Sequence, residues 1–348
     1  MVMLFLIIVF TACSDTKVIS SEANSTSDGT PITLIVSHFQ PGNHPIQTSV
    51  LKKLNDDLKA ITSGRVDMEF YPSNTLGDAG SQYDMAVTGE ADIALSVYGY
   101  STGRFPLVTV MELPFLAESA EQASEILSTL YGEFSEIKAE HDDTVPLFLF
   151  SAEPAQIMSK DYKVETPDDM QGLRVRSPSA SANEIIESLG ATPISMPMGD
   201  VYESLERGVI DAAMVPFESL YNYSFHEVIN YITVGDFSAT PFFSVMNKDI
   251  YQGLSDTDRE ILRGLTGKDL AKEAGRIYDA DGERGLDLAK ESGVEIIELE
   301  GDALIPWQEE LEPTVQKWID EKDAEGYPAE EIYKRAMELK EELDDGKE

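Results

Sequence analysis

Two arginines near the middle of the chain could bind an anion. Arg174 and Arg176 lie two positions apart, and Pro178 ends the strand predicted to carry them. Side chains two positions apart on a strand share one face, and ligands of open α/β sheets bind beyond the carboxyl ends of strands. A guanidinium binds a carboxylate through two parallel hydrogen bonds and remains charged at physiological pH. The pattern predicts a carboxylate site, and an ordinary surface or structural role for Arg176 is the alternative that composition alone equally supports.

Acidic residues are missing from the segments around these arginines. The chain has 64 Asp plus Glu in 348 residues, so a long window without any is informative. The main windows of this kind are 30–55, 93–111, 171–183, 188–199 and 237–248. Most of their residues are interpreted as core strands and loops. Two windows also carry Arg beside turn residues, in Tyr100–Pro106 and Gly172–Pro178.

The net charge limits the classes of partner. With 26 Lys plus Arg against 64 Asp plus Glu, the net charge is 26 minus 64, or −38, which excludes a reader of the nucleic-acid backbone. We interpret the excess of acid as a surface suited to a saline habitat. At about 1 M ionic strength the Debye length is roughly 3 Å, so this charge would hardly oppose an incoming anion.

Metal and cofactor chemistry has little support in the sequence. A single Cys excludes a disulfide framework and a Cys-based zinc site, and the four His have no metal-binding spacing. No metal and no cofactor are therefore predicted. His38 and His44 flank Pro41-Gly42-Asn43 and could line a cleft, with a solvated loop as the alternative.

A hydrolase is the first alternative of another class. Ser177, Ser179 or Ser181 could combine with His226 and an acid, but the chain has no G-x-S-x-G nucleophile elbow. Acids this common lie near any Ser by chance. We therefore predict that the protein is not an enzyme.

The chain begins with an export signal. Residues 1–10 form an apolar run too short to cross a bilayer and typical of a signal peptide. Thr11 and Ala12 precede Cys13 as in a bacterial lipobox, which predicts residues 1–13 as a signal with lipidation at Cys13; a signal cleaved nearby is the alternative. Residues 14–30 are polar and predict a flexible tether.

Helical and strand patterns alternate through the body of the chain, which predicts α/β layers with mainly parallel sheets. Length alone suggests two domains. The predicted elements are strand Ile32–Ser37, helix Pro45–Ser63, strand Val66–Tyr71, helix Ala79–Thr88, strand Asp92–Leu95, helix Ser119–Ala139, strand Val145–Phe150, strand Leu173–Arg176, helix Ala180–Leu189 and strand Ala212–Pro216.

A long helix is predicted from Ser255 to about Ser292, opening with a capping box. Unbroken, it would reach roughly 55 Å, which is more than the width of one domain, so it would brace two domains together. Two helices joined at Gly282 are the alternative. A helical, acidic tail is predicted over Trp307–Leu343.

Several motifs together resemble the extracytoplasmic solute-binding proteins of TRAP transporters (the DctP type). They cover about residues 31–335. The most specific motifs are TPDDMQGLRVRSP (Thr166–Pro178), LGATPISMP (Leu189–Pro197) and VYESLERGVID (Val201–Asp211), and Tyr71-Pro72, Leu76-Gly77, Gly89–Ile93, Gly103–Pro106, Leu113–Phe115 and Thr240–Lys248 agree in order and spacing.

The resemblance implies a two-lobed, periplasmic-binding-protein-like clamshell, each lobe a mainly parallel sheet flanked by helices, with a long helix bracing both. Residues 31–152 and 241–281 would form the first lobe, and residues 153–240 and 282–335 the second. Residues 336–348 would form a solvated, acidic helix end.

The resemblance also implies the site. Arg176 takes the position of the family's carboxylate clamp, whereas Gln156, Val215 and Met198 stand where relatives carry an Arg, an Asn and an aromatic residue. The pocket has therefore lost polar partners. Arg174, Phe105, Phe217 and Phe242 complete the predicted ligand-binding residues.

These residues predict an apolar or aromatic monocarboxylate or a 2-oxo acid as ligand, not a C4-dicarboxylate or a sugar acid. A second ligand carboxylate would need a second cationic partner, because burying an unpaired charge costs several kcal/mol. Arg174 and Gln156 are the candidates for that role. The expected partners are this ligand and integral membrane transporter subunits. The expected location of the protein is the periplasm. A binding lobe for an ABC importer or a sensor is the alternative within the same class.

Overall fold

The computed structural model describes residues 29–345. The predictions for the signal peptide, for Cys13 and for most of the tether lie outside these residues. The strands are β1 (Ile32–His38), β2 (Val66–Tyr71), β3 (Ile93–Val97), β4 (Thr144–Ala152), β5 (Gln156–Ser159), β6 (Arg174–Ser177), β7 (Thr192–Ser195), β8 (Ala212–Val215), β9 (Tyr231–Val234), β10 (Thr240–Asn247) and β11 (Glu295–Glu298).

The helices surround these strands. They are α1 (Lys52–Ile61), α2 (Gln82–Thr88), α3 (Ala120–Glu133), α4 (Ser135–Ala139), α5 (Ala180–Ser188), α6 (Val201–Glu206), α7 (Glu218–Asn222), α8 (Lys248–Gly253), α9 (Asp256–Leu265), α10 (Lys268–Glu291), α11 (Ile305–Ala324) and α12 (Ala329–Asp345). Ser119, Ser179 and Ser255 cap the N-termini of α3, α5 and α9, each accepting a backbone N–H with its hydroxyl.

The strands form two sheets, which define two lobes. The sheet of the first lobe has the order β2-β1-β3-β10-β4, and the sheet of the second lobe has the order β11-β9-β5-β8-β6-β7. In the first sheet β1 runs parallel to β2 and β3, whereas β10 runs antiparallel to β3 and β4. In the second sheet β6 runs parallel to β7 and β8, and β5 runs antiparallel to β8 and β9. The predicted two-lobed α/β fold is confirmed.

The helix that braces both lobes is α10, and its start differs from the prediction. The helical pattern breaks at Thr266 and Gly267, between α9 and α10, and not at Gly282, which lies inside α10. Gly267, with a φ of 91°, is the N-cap residue of α10. The 24 residues of α10 span about 36 Å. A Cβ at Gly275 would lie 2.5 Å from the carbonyl oxygen of Ala120, and one at Gly285 would lie 2.2 Å from that of Phe217. The glycines therefore let α10 touch α3 in the first lobe and the start of α7 in the second.

The C-terminal helices depart from the expected division of the chain. In α11, Trp307 and Leu311 pack in the core of the second lobe, whereas Trp318 packs in the core of the first lobe. In α12, Ala336 and Leu339 are buried against the first lobe. This contradicts a purely solvated helix end from residue 336, because the acidic residues of this segment cover one face while the apolar residues pack inward. Within residues 29–345, no helix is long and apolar enough to span a membrane.

Candidate functional site

A small, partly open cavity lies between the lobes, at the ends of the strands. Phe39 follows β1, Val97 ends β3 and Pro216 follows β8, so the cavity occupies the edge where α/β sheets bind ligands. Its lining consists of Phe39, Gln40, Val97, Tyr100, Ala152, Arg176, Pro178, Met198, Pro216, Glu218, Tyr223, Thr240, Phe242 and Tyr278.

Arg176 is the cation of this cavity, and it is 1% exposed. Its Nε donates to the carbonyl of Met196 (3.0 Å), Nη1 to the carbonyl of Met214 (3.2 Å) and Nη2 to the hydroxyl of Tyr100 (3.2 Å). Burial lowers the pKa of Arg176, but a guanidinium keeps its charge in a protein.

The charge of Arg176 has no anionic partner in the described part of the chain. Among residues 29–345, no carboxylate oxygen lies within 4.0 Å of its nitrogens. A guanidinium has five N–H donors, and three are used, which leaves one on each Nη nitrogen. Two donors on neighbouring nitrogens match the two oxygens of a carboxylate.

Tyr100 reaches Arg176 from the other lobe. Its hydroxyl oxygen accepts from Nη2 of Arg176 and from the backbone N–H of Met198, 3.0 Å away. The approach is close because the residue before it is a glycine: a Cβ at Gly99 would lie 2.4 Å from Cβ of Ser179. The first lobe thereby contributes to the surroundings of a cation that belongs to the second.

Aromatic rings form the apolar wall of the cavity. Phe242 stacks on Phe150, with ring centroids 4.9 Å apart, and on Phe39 at 6.2 Å. Phe39 meets Tyr100 edge to face at 5.4 Å, and Tyr278 lies 5.7 Å from Phe242. Such a wall suits the flat, apolar body of a ligand whose charged end lies at the guanidinium.

A buried carboxylate, Glu218, also lines the cavity. Its Oε2 accepts from Asn222 (2.8 Å) and lies 3.2 Å from Nε2 of His44. Its backbone N–H donates to Oε1 of Glu153 at 2.7 Å. Burial and the nearby Glu218 raise the pKa of Glu153 well above its usual range. This part of the cavity is thus unfavourable for a further anion.

Tyr223 offers a hydroxyl to the same space. In the described part of the chain it has no hydrogen-bond partner, although its ring lines the cavity. Burial raises its pKa well above the usual range, so the hydroxyl remains a donor at physiological pH. The nearby Tyr278 instead accepts from Nε2 of Gln40 at 2.6 Å.

Of the residues predicted from the sequence, the structure places Arg176, Met198 and Phe242 at the cavity. Arg174 lies elsewhere: its exposed guanidinium donates to both carboxylate oxygens of Asp211, at 2.7 and 2.9 Å. The expected common face with Arg176 does not bring Arg174 to the ligand space. Its contact with Asp211 is a surface ion pair.

The other predicted residues do not line the cavity. The amide of Gln156 is engaged within the protein: it donates to Asp236 (2.7 Å) and accepts from the N–H of Gly235 (2.9 Å). Gln156 therefore fixes the turn at Gly235 and Asp236. Val215 is fully buried in the core. Phe105 packs among Tyr83, Tyr98, His141 and Phe243, and Phe217 adjoins α10. Motif position alone did not show which way these side chains point.

Among the cavity residues that were not predicted from the sequence, four have ionisable side chains. Glu218 could have been found, since it follows β8 by three positions, at a strand end. Tyr100 stands in an acid-free window beside the Gly103–Pro106 motif, which is a weak signal. Tyr223 and Tyr278 carry no local signal, because only the packing of α7 and α10 brings them there.

Two α/β lobes that meet around a buried cation, which has no carboxylate partner in residues 29–345, define a two-lobed solute-binding protein. The family model described as bacterial extracellular solute-binding protein, family 7, matches residues 36–322, and the chain belongs to this family. The resemblance seen in the sequence is thereby confirmed, and this is a family of extracytoplasmic solute receptors for organic acids.

Three relatives show the range of the family. The chain is 28% identical over 251 residues, 71% of its length and 75% of the relative's, to the 2,3-diketo-L-gulonate-binding periplasmic protein of Escherichia coli. A TRAP solute-binding protein from an unidentified marine microbe, specific for aromatic acid ligands and solved with metahydroxyphenylacetate, superposes with a TM-score of 0.86 at 30% identity, covering 90% of this chain and 99% of that one. A TRAP solute-binding protein of Rhodoferax ferrireducens with copurified benzoate has a TM-score of 0.86 at 26% identity, covering 91% and 99%.

Proposed function

We propose that the protein is a non-catalytic receptor that binds an apolar or aromatic monocarboxylate through Arg176 and delivers it to the membrane subunits of a TRAP-type transporter. The observation that carries the proposal is the fully buried guanidinium with no carboxylate partner in residues 29–345 and one free N–H on each Nη nitrogen. An uncompensated buried charge is costly, so the site is suited to an anion supplied by the ligand.

The remainder of the cavity supports an apolar body for this ligand. Phe39, Phe242 and Tyr278 present ring surfaces, and Met198 adds a flexible thioether. The Glu218 carboxylate disfavours a second ligand carboxylate, because two like charges would be buried together. Aromatic acids bound to the marine and Rhodoferax relatives agree with this choice, whereas the diketogulonate relative shows that the family also takes polar acids.

A ligand held from both lobes would favour their closed arrangement. The chain passes between the sheets from β4 to β5, from β9 to β10 and, through α10, from β10 to β11. We propose residues 31–152 with 241–281 and residues 153–240 with 282–335 as the main moving parts. The packing of α12 on the first lobe adds the C-terminal helix to the first part.

Attachment to the membrane is a separate proposal. Thr11-Ala12-Cys13 at the end of an apolar run supports acylation of Cys13, with residues 14–30 as the tether. Expression of the full chain in a bacterial host, followed by mass spectrometry of the mature N-terminus, tests it. A Cys13→Ser variant should be released from the membrane fraction; equal membrane retention of variant and wild type would contradict the proposal.

The test of the proposed function is to identify the ligand. Native mass spectrometry of the protein as purified would reveal a retained acid by its mass. A thermal-shift panel would then compare benzoate, phenylacetate, phenylpyruvate, indole acetate and branched 2-oxo acids with succinate, malate and glucuronate. We expect stabilisation by members of the first group. Stabilisation by succinate or glucuronate alone would overturn the ligand class, and turnover of a bound acid would overturn the receptor assignment.

A further inference from the structure

The hydroxyl of Tyr100 joins the two lobes at the ligand cavity. Tyr100 lies just after β3 in the first lobe, and both groups that donate to its oxygen belong to the second lobe: Nη2 of Arg176 at 3.2 Å and the backbone N–H of Met198 at 3.0 Å. A phenolic oxygen has two lone pairs and one hydrogen. With both lone pairs used, the hydrogen is left for another acceptor, and the adjoining space is the cavity.

We propose that Tyr100 supplies the first lobe's hydrogen bond to the ligand carboxylate, so that the carboxylate site is complete only when the lobes are closed. This inference rests on the proposed function, since it assumes that the carboxylate lies at Arg176. Nη2 of Arg176 and the Tyr100 hydroxyl are hydrogen-bonded neighbours, and a carboxylate oxygen that accepts from the free N–H of Nη2 is placed to accept from Tyr100 as well.

The arrangement ties recognition to closure. Opening the lobes would separate Tyr100 from Arg176 and Met198 and would remove one donor from the carboxylate, whereas Arg176 would keep its bonds to Met196 and Met214 within the second lobe. The ligand then has a contact in the closed form that it lacks in the open form. Such a difference is the condition for a ligand to shift the equilibrium between the open and closed forms.

Tyr100 also packs edge to face on Phe39, so a purely structural role must be separated from this one. Tyr100→Phe keeps the ring and this contact while removing only the hydroxyl. Tyr162→Phe is the matched control, because Tyr162 is 45% exposed and is not among the residues that line the cavity. Arg176→Ala reports on the proposed function itself.

The experiment measures phenylacetate binding by calorimetry and stopped flow for wild type and the three variants, with small-angle scattering at saturating phenylacetate. A hydrogen bond to a charged group predicts a loss of about 10- to 100-fold in affinity for Tyr100→Phe, mostly as faster dissociation. We also expect a smaller ligand-induced contraction than in wild type, and no change in affinity for Tyr162→Phe.

The outcomes distinguish the two levels of the proposal. If Tyr100→Phe binds as tightly as wild type while Arg176→Ala does not, the Tyr100 assignment is wrong and the receptor function stands. A lower melting temperature of unliganded Tyr100→Phe with unchanged affinity would likewise leave Tyr100 a structural role only. If wild type fails to bind any aromatic acid, or Arg176→Ala binds as wild type does, the proposed function fails and this inference falls with it.

Discussion

Ser179 of the second lobe donates a hydrogen bond to Glu112 of the first lobe, with Oγ 3.0 Å from Oε2. Glu112 is 2% exposed, and its other carboxylate oxygen has no partner among residues 29–345. Burial raises the pKa of Glu112 to about 7, although Ser181 and Ser179 partly oppose the rise. Burial therefore favours the protonated carboxyl, whereas the hydrogen bond from Ser179 favours the carboxylate.

Glu112 makes the stability of the protein depend on pH. Since its pKa is about 7 in the folded protein and near 4.5 when unfolded, the folded state binds more protons between these values. The free energy of unfolding should fall as the pH rises through this window, by up to about 3 kcal/mol in all. Glu112→Gln should match wild type near pH 4.5 and exceed its stability near pH 8, as measured by urea unfolding across the range.

Other buried groups also change the free energy of unfolding with pH, and they are present in wild type and in Glu112→Gln alike. Glu140, with its pKa raised to about 7 by burial, has the same sign as Glu112. His38 and His141, with pKa values lowered to about 4 and about 3 by burial, reduce stability as the pH falls below 6.5. The difference between variant and wild type isolates Glu112. Glu90→Gln serves as the control, because Glu90 is exposed. If the free energy of unfolding varied with pH in the same way for Glu112→Gln and for wild type, the pKa shift assigned to Glu112 would be contradicted.

Local sequence patterns predicted much of the fold. β2 has the predicted limits, and most other predicted elements agree within a few residues, because alternation and helical spacing are local properties. Periodicity did not predict the short strands β5, β7, β9 and β11 or the central β10. Their residues are almost all buried or too few to show a period, and their pairing depends on contacts distant in sequence.

The glycines after Ser255 show a limit of sequence reasoning. Gly267 precedes α10 as its N-cap with a positive φ, whereas Gly282 stays helical and makes room for Glu153, whose Oε1 would lie 2.7 Å from a Cβ there. The sequence contains glycine at both positions and does not distinguish the two uses. In the site, Arg176 was predicted because a motif and a strand end coincide there, but Tyr100 and Tyr278 reach it only through tertiary packing.

Arg176 and Arg174 form a matched pair for testing the clamp. Arg176→Ala removes the buried cation, and loss of one partner of a buried ion pair costs about 3–5 kcal/mol, so binding of the cognate acid should weaken by two to four orders of magnitude. Arg176→Lys should restore binding of the acid only partly, because an ammonium lacks the planar set of N–H donors with which the guanidinium bonds the carbonyls of Met196 and Met214. Titration calorimetry measures both.

Arg174→Ala is the control for this series, since Arg174 pairs with Asp211 at the surface and does not line the cavity. Its affinity for the acid should equal that of wild type. A loss with Arg174→Ala comparable to that with Arg176→Ala would show that general positive charge, and not the buried guanidinium, attracts the ligand.

The glycines of α10 should be intolerant of even a methyl group. At Gly285 a Cβ would lie 2.2 Å from the backbone oxygen of Phe217, which cannot yield without moving α7. Overpacking of this kind costs about 1–3 kcal/mol, so Gly285→Ala should lower the free energy of unfolding in urea. Gly264→Ala in α9 has no atom within 4 Å of the added Cβ and should be neutral or stabilising. Equal effects of the two substitutions would contradict close packing of α10 on the second lobe.

Glu218 should set the selectivity against dicarboxylates. Its carboxylate lines the cavity and is fixed by Asn222 and His44, so a second ligand carboxylate placed there would be buried beside a like charge.

Benzoate and isophthalate share one ring and differ by one carboxylate, which makes them suitable probes. Wild type should bind isophthalate more weakly than benzoate, and Glu218→Gln should narrow that difference by at least about tenfold, since like-charge juxtaposition costs several kcal/mol. The amide keeps the shape of the side chain, and its oxygen can still accept from Asn222, so benzoate affinity should change little. Calorimetry with both probes on both proteins gives the four values needed. An unchanged ratio of the two affinities would show that the second carboxylate is excluded by shape and not by the charge of Glu218.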